Sequence, residues 1–270
     1  MSDFFDDPNV GAAKRYILSP RRAKVRDLVC DAVLKVRLSL HKAFSRQVRA
    51  KEIRRVLIVG VSVPSRTQDM DDVVSKLVES RHEVSTSIVP MVKGLGKFTN
   101  VETAISSAPE SLDSYDWLVI TDDDIEFKPG FLDAMIDYAE TFDLTFVQPA
   151  HKFHSHTSFE ITQRHWWSLV RETQFVEIGP ITLLHKRALS TLVPFPESRW
   201  CWGIDVYWSK LARDNGWKMG IIDAEPVGHM RPIAATYDFN AAIEEARRLL
   251  ARFGVSDKRE KIFALNKRLA

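Results

Sequence analysis

The sequence predicts an α/β fold in which a mostly parallel sheet is flanked by helices. Apolar, β-branched runs alternate with segments of helical period through most of the chain, as expected when crossover helices cover a parallel sheet. The 270 residues are 45% hydrophobic and 27% charged, an ordinary composition for a globular protein of one substantial domain or two small ones. We predict a basic helical N-terminal arm (1–52), an α/β domain (53–238) and a C-terminal helical extension (239–270).

The arm has a basic, amphipathic helical pattern. Between Lys14 and Arg55 there are 14 Lys and Arg residues against three acids. Residues 1–19 look irregular, whereas 20–50 carry apolar residues at helical spacing, namely Val25, Leu28, Val29, Ala32, Val33, Val36, Leu40 and Phe44. We expect this apolar face to pack on the chain's own domain. The alternative is peripheral contact of residues 14–55 with an anionic membrane. Nucleic-acid binding is disfavoured because few aromatic residues lie among the basic ones.

The α/β domain alternates strands and helices in order. Buried-type strands are predicted at 55–63, 84–90, 116–121, 144–149, 178–184 and 219–223. Helices are predicted at 69–81, after the glycine loop at 94–96, after Pro129, and at 205–215. Two charged helices, at 239–250 and from 257 to the end, complete the chain.

Three adjacent carboxylates, Asp122, Asp123 and Asp124, follow the strand at 116–121. Neighbouring acids repel one another, and Mg²⁺ and Mn²⁺ favour carboxylate oxygen and often bridge a protein to substrate phosphates. Ligands in α/β sheets usually bind at the carboxyl ends of strands. The cluster is therefore a candidate site for a metal and a diphosphate, with an ordinary acidic turn as the alternative.

The strand, acidic cluster and Pro-containing turn resemble the glycosyltransferases of the GT-A fold, whose Asp-x-Asp motif holds a divalent metal on a nucleotide-sugar diphosphate. The segment 96–104, Gly-Lys-Phe-Thr-Asn-Val-Glu-Thr-Ala, resembles the loop that these enzymes place near the nucleotide. Residues 202–205, Trp-Gly-Ile-Asp, resemble their acceptor-facing segment, and His229 stands where several of them have a third protein ligand of the metal. The resemblance covers about residues 53–235, and the four elements together are more specific than any one alone.

A plant family of unknown function, named for lysine-ketoglutarate reductase trans-splicing, is similar in more detail. Its pattern corresponds here to Gln148-Pro-Ala, Phe175-Val-Glu-Ile, Trp202-Gly-Ile-Asp, Gly220-Ile-Ile-Asp and His229. That family is also thought to have a GT-A-like fold, and its substrate is not established. The Pro-x-x-Asn and Gln-x-x-Arg-Trp motifs of processive or polyprenol-linked GT-A enzymes are not present in this sequence, which argues against a processive polysaccharide synthase.

The resemblance implies a hexosyltransferase-type enzyme that moves a sugar from a nucleotide-diphosphate donor to a hydroxyl of a glycan or other acceptor. It implies a divalent cofactor, Mn²⁺ or Mg²⁺, held by Asp124, Asp122 and His229, with Asp123 as a rival ligand. Lys97, Asn100, Asp122 and Asp123 would contact the nucleotide. Asp205 would be the catalytic base, and Trp202 and Glu177 would line the acceptor side.

Other interpretations of these residues stay open. Asp205 is also suited to cap the helix that follows it, His229 to a loop role, and Lys97 to the surface. One rival function is a non-catalytic module of the same fold that binds a nucleotide sugar or a glycan. A second is an Asp-x-Asp phosphatase of the haloacid-dehalogenase type, which Glu126 disfavours because a small residue is expected there.

The expected location is the cytoplasm, with peripheral attachment at the inner face of a membrane as an option. The two cysteines, Cys30 and Cys201, are far apart and suggest a reducing compartment. The first residues are acidic and lack the apolar core of a signal peptide, and no apolar run is long enough to span a bilayer.

Overall fold

The structure, a computed structural model, describes residues 4–5, 20–40, 52–231 and 238–270. Much of the predicted arm, at 1–3, 6–19 and 41–51, lies outside the described residues, as does the segment 232–237 at the end of the predicted α/β domain. The helical prediction is therefore borne out for 20–40 alone, where one helix runs without interruption.

The described residues form nine strands and eight α-helices. The strands are β1 (Arg55–Ser62), β2 (Glu83–Pro90), β3 (Trp117–Thr121), β4 (Ile125–Glu126), β5 (Leu144–His151), β6 (Val170–Thr173), β7 (Ile181–His185), β8 (Lys218–His229) and β9 (Asn266–Arg268). The helices are α1 (Pro20–Leu40), α2 (Thr67–Val78), α3 (Lys97–Ser106), α4 (Phe131–Thr141), α5 (Lys186–Leu192), α6 (Ile204–Asn215), α7 (Phe239–Arg252) and α8 (Arg259–Ile262). All six predicted strands are present, and the last of them continues to His229.

The sheet is mixed, mostly but not purely parallel. Its strand order is β2-β1-β3-β7-β5-β8-β6-β9, and β4 pairs with β8 off this path. The pairs β1–β2, β1–β3 and β5–β8 are parallel and the other pairs are antiparallel, so that β4, β6 and β7 oppose the remaining six strands. The sequence does not reveal the reversal of β7, because every residue of β7 except the last is buried. A strand buried on both faces is typical of parallel sheets.

The carboxyl-terminal part of the chain departs from the prediction. The helix expected from 257 to the end is a single turn, α8, and the chain then forms β9, which pairs with β6 at the edge of the sheet. All three residues of β9 are exposed and two are basic, a composition typical of an edge strand and easily mistaken for the polar face of a helix.

Two apolar layers, one on each face of the sheet, form the core. Alternate residues of β3 point to opposite faces, so Leu118 and Ile120 enter one layer while Trp117 and Val119 enter the other. The central strands are therefore buried on both sides, and the carboxyl ends of β1, β3, β5 and β8 point in the same direction.

α1 packs on the domain, but with a different face from the one predicted. Ala23, Asp27, Cys30 and Leu34 are buried, whereas the predicted packing residues Val25, Leu28, Val29 and Val36 are 56–69% exposed. The reason is the buried carboxylate of Asp27: because this side chain faces the domain, the predicted apolar residues on the other side of the helix face outward.

Asp27 ties α1 to the segment 153–164. Its Oδ1 accepts a hydrogen bond from the N–H of Phe153 at 2.9 Å, and its Oδ2 lies 2.7 Å from Nδ1 of His154. The Arg164 guanidinium lies 3.3 Å from the same carboxylate and 2.8 Å from Asp31. A buried carboxylate with partners of this kind outweighs the apolar pattern in setting the orientation of the helix.

We expect Asp27→Ala to cost about 3 kcal/mol of unfolding free energy, because Arg164 would then be left buried near the weaker Asp31 alone. Urea unfolding and hydrogen exchange at residues 20–40 measure the effect. Asp31→Ala is the matched control, since this acid is partly exposed and its loss should cost about 1 kcal/mol or less. Equal losses in the two variants would contradict the assignment.

Candidate active site

The site lies where the carboxyl ends of several strands meet. Asp122 follows β3, and its N–H donates to the carbonyl of Pro180 at 2.8 Å. Pro180 immediately precedes β7, which is antiparallel to β3 and therefore begins where β3 ends. β4 pairs with the end of β8, which places His229 opposite Ile125 and beside Asp124. The turn that carries the three acids is therefore fixed from both sides.

Asp122 and Asp123 are held by basic side chains from other elements. Lys97, the first residue of α3, lies 2.7 Å from Oδ1 of Asp122. Oδ1 of Asp123 lies 3.1 Å from Arg66 and 2.9 Å from Arg231. Burial raises the pKa of Asp123, and the two guanidinium charges offset only part of this effect.

Asp124 is paired with His229. Its Oδ2 lies 3.4 Å from Nε2 of His229 and accepts a hydrogen bond from the N–H of Arg231 at 3.0 Å. Burial disfavours the charged form of each side chain, but the hydrogen bond and the attraction between the two outweigh burial. The pKa of Asp124 is therefore held below its usual value, and the pKa of His229 is raised. Nδ1 of His229 lies 3.1 Å from the carbonyl oxygen of His156. Because a carbonyl oxygen only accepts, Nδ1 is the donor in this hydrogen bond. The other ring nitrogen, Nε2, faces Asp124.

The predicted metal set is brought together in part. Among the described residues, no group of three His, Cys, Asp or Glu side chains is arranged to hold a metal ion. Asp124 and His229 face each other, whereas Asp122 is turned to Lys97. The backbone carbonyl behind His229 is the usual support of a metal-binding imidazole. One carboxylate and one imidazole could hold a divalent cation only if substrate oxygens and water supplied its remaining ligands.

Two cavities meet at Lys97, Asp122 and His229, which line both. The first, of about 280 Å³, is also lined by Phe159, Glu177, Trp202 and Asp205. The second, of about 300 Å³, is also lined by Val61, Arg66, Asn100, Asp123, Asp124 and Arg231. Asp122 of the acidic cluster therefore borders both an aromatic cavity and a charged one, and Asp123 and Asp124 face the charged one.

Asp205 is a buried carboxylic acid in the first cavity. It is the second residue of α6, after Gly203 at the helix N-cap, so the N-cap alternative does not hold. Its Oδ1 does accept the N–H of Val206 at 2.9 Å. Burial is the main cause that raises the pKa of Asp205 to about 7, and the charge of Glu177 adds to it while the Val206 N–H opposes it. A carboxyl group that titrates near neutral pH is suited to acid–base chemistry.

Glu177 lines the same cavity and is held from behind. Its Oε2 lies 2.9 Å from Nε2 of His151, its Oε1 accepts the N–H of Ser158 at 3.3 Å, and its own N–H donates to Oε1 of Gln148. The sequence singled out Glu177 as an acceptor-side residue but gave no indication of its pairing with His151. The two residues are distant in sequence and only the fold brings them together.

Asn100 shapes the loop before α3. Its amide oxygen accepts the N–H of Val92 at 2.9 Å and its amide nitrogen donates to the carbonyl of Gly96 at 2.9 Å. Both groups of this buried side chain are therefore occupied by backbone, although Asn100 does line the second cavity. Gly96 has no room for a side chain, because a Cβ would lie 1.8 Å from the carbonyl oxygen of Ser198.

Gly179 has a similar role beside the acids. A Cβ at this position would lie 3.0 Å from Oδ2 of Asp122 and 3.2 Å from Nζ of Lys97. The backbone therefore approaches the Lys97–Asp122 pair closely, and Lys97 also donates to the carbonyl of Ile178 at 3.2 Å. Lys97 is partly buried and engaged, which excludes the interpretation of Lys97 as a purely surface residue.

The predicted tryptophan lies in the first cavity. Trp202 packs edge-on against Phe239, with ring centroids 5.2 Å apart, and lies near Phe159. Trp208 of α6, by contrast, is fully buried in the core. Arg66 and Arg231 were not anticipated, and their proximity in sequence to strand ends was the only signal that could have identified them.

Comparisons with known proteins give no family. No protein-family model and no curated protein match the chain. Among solved structures, one that is similar is "Crystal structure of GalNAc-T7 with UDP, GalNAc and Mn2+", with 10% sequence identity and a TM-score of 0.49. The similarity covers 75% of this chain and 48% of that one, so this chain spans about half the length of that protein. A likeness this weak assigns neither family nor ligand, and the similarity to the plant family rests on its motifs alone.

The raised pKa of Asp205 predicts a pH-dependent cost to stability. The unfolded carboxyl ionises near 3.8 and the folded one near 7, so between these values the folded state holds a proton that the unfolded chain has released. The free energy of unfolding that protonated Asp205 contributes is therefore lost as the pH rises from about 4 to 7. We expect Asp205→Asn to be more stable than the wild type above pH 7, by on the order of 3 kcal/mol, and little different at pH 4.

Melting temperatures of both proteins between pH 4 and 8.5 measure this effect, which corresponds to several degrees at the upper end. Asp214→Asn, which changes an exposed acid of the same helix, is the control and should show no such trend. A constant difference between Asp205→Asn and the wild type at all pH values would contradict the buried, proton-holding carboxyl.

Proposed function

We propose that the chain is a metal-dependent glycosyltransferase of GT-A-like fold, which transfers a sugar from a nucleotide-diphosphate donor to a hydroxyl of a glycan or other acceptor. The observation that carries the proposal is the position of the acidic cluster. Asp122 lines both a charged cavity and an aromatic cavity, and the aromatic cavity contains a buried acid of raised pKa.

The charged cavity suits the donor. Lys97, Arg66 and Arg231 supply positive charge for the diphosphate, while Asp122 and Asp123 offer acceptors to ribose hydroxyls. A divalent cation, Mn²⁺ or Mg²⁺, would be held by Asp124 and His229, with Asp122 completing the protein ligands after it leaves Lys97. When bound, such a cation neutralises charge on the departing nucleoside diphosphate.

The aromatic cavity suits the acceptor. Trp202 and Phe159 offer apolar surfaces of the kind on which a sugar ring packs, and Glu177 offers a hydrogen-bond acceptor. Asp205 would take the proton of the acceptor hydroxyl as its oxygen forms the new bond to the anomeric carbon. The bond from that carbon to the diphosphate oxygen breaks in the same step, and the configuration at the anomeric carbon inverts.

The donor site is tested by melting temperature in the presence of UDP-, GDP-, CMP- and dTDP-sugars, with and without Mn²⁺. A ligand that binds the folded state raises the melting temperature by mass action. We expect a shift with one nucleotide class that requires Mn²⁺ and is lost in Asp124→Ala. If no nucleotide sugar shifts the wild type, the donor assignment is wrong.

Turnover tests the role of Asp205. Loss of a general base costs about 10²–10⁴-fold in rate, so we expect Asp205→Asn to lose this much kcat while donor affinity changes less than about twofold. Because the base must be ionised, wild-type kcat/KM should rise about tenfold per pH unit below 7 and level off above it. The control is again Asp214→Asn.

Two experimental results would favour a different function. Donor binding without turnover in the wild type would favour a non-catalytic module that binds nucleotide sugars or glycans. Release of phosphate through an intermediate on Asp122 would instead indicate an Asp-x-Asp phosphatase. The expected cytoplasmic location stays a prediction; both cysteines are free and buried.

A further inference from the structure

The outward face of α1 combines an apolar stripe with basic residues. Val25, Leu28, Val29 and Val36 are 60%, 69%, 56% and 59% exposed, and the exposed Ala32 lies between them. Spacings of three, four and seven residues place all five side chains on one side of a helix. An aliphatic stripe this exposed on a well-packed domain marks an interaction surface.

The charges on this face are of one sign. Arg21, Arg22, Lys24 and Lys35 are exposed beside the stripe. The two acids of α1 do not reach it: Asp27 is buried, and Asp31 lies 2.8 Å from Arg164 on the inner side. Among the residues of α1, the outward face is therefore basic and apolar, with its carboxylates turned to the domain.

A pair of exposed indoles belongs to the segment that holds α1. Trp166 and Trp167 are 43% and 48% exposed, with ring centroids 4.3 Å apart. They follow Arg164, which binds Asp27 and Asp31 of the helix. Tryptophan is favoured at membrane–water interfaces because its ring is apolar and its N–H is polar.

We propose that a docking face on the outward side of α1, made of the apolar stripe and its flanking basic residues, binds the surface of an anionic lipid bilayer, and that the exposed Trp166 and Trp167 of the neighbouring segment add to this contact. Charge complementarity selects this occupant, since basic residues flank the whole apolar stripe. A helix of this length presents a strip of about 30 Å that can lie along the plane of a bilayer interface. No helix among the described residues is both long and apolar enough to cross a membrane.

The test is co-sedimentation of the full chain with vesicles of phosphatidylcholine alone and with about 30% phosphatidylserine, in low and high salt. We expect binding to the anionic vesicles alone, weakened by salt because the charge attraction is screened. The double change Leu28→Glu and Val29→Glu should reduce vesicle binding at least tenfold and leave the melting temperature unchanged, because both side chains are exposed.

Val78→Glu is the matched control, since Val78 is an exposed valine at the end of α2, and it should bind vesicles like the wild type. Equal binding to neutral and anionic vesicles, or no binding to either, would overturn the proposal. So would a dimer in light scattering that Leu28→Glu and Val29→Glu dissociate, because a second copy of the chain would then cover this face.

Discussion

The site depends on the need to neutralise three adjacent carboxylates at the end of one buried strand. Asp122, Asp123 and Asp124 cannot all ionise side by side without compensating charge. The fold supplies a different basic group to each one: Lys97 from the start of α3, Arg66 and Arg231 from two strand ends, and His229 from the end of β8. The same contacts fix the positions of the segments that form both cavity walls.

The same arrangement would allow the charged ligand of the proposed function to enter. Each of these basic groups is paired with at least one acid, so a diphosphate and a divalent cation could exchange partners with the pairs without leaving a buried charge alone. On the other side of the cluster, Asp205 is buried near Glu177 and holds its proton to about pH 7. In the proposed reaction the charged steps occur at the cluster and the proton transfer occurs in the aromatic cavity.

Local sequence signals located the strand ends, the acidic cluster, Asp205 and His229, because each of these lies in a short segment with its own pattern. Features set by distant contacts could not be predicted. The buried pairing of Asp27 with Arg164 turns the apolar stripe of α1 outward, against the expectation that apolar residues pack inward. The antiparallel direction of β7 and the pairing of Glu177 with His151 likewise depend on segments far apart in the chain.

The central claim is that the acidic cluster binds a cation jointly with a diphosphate. Titration of Mn²⁺ into the protein, followed by electron paramagnetic resonance with and without a nucleoside diphosphate, tests it most directly. We predict weak binding of Mn²⁺ alone, at least tenfold tighter binding when the diphosphate is present, and loss of that gain in Asp124→Ala. Mn²⁺ affinity that is unchanged by every nucleoside diphosphate tried, or that survives in Asp124→Ala, would contradict the claim.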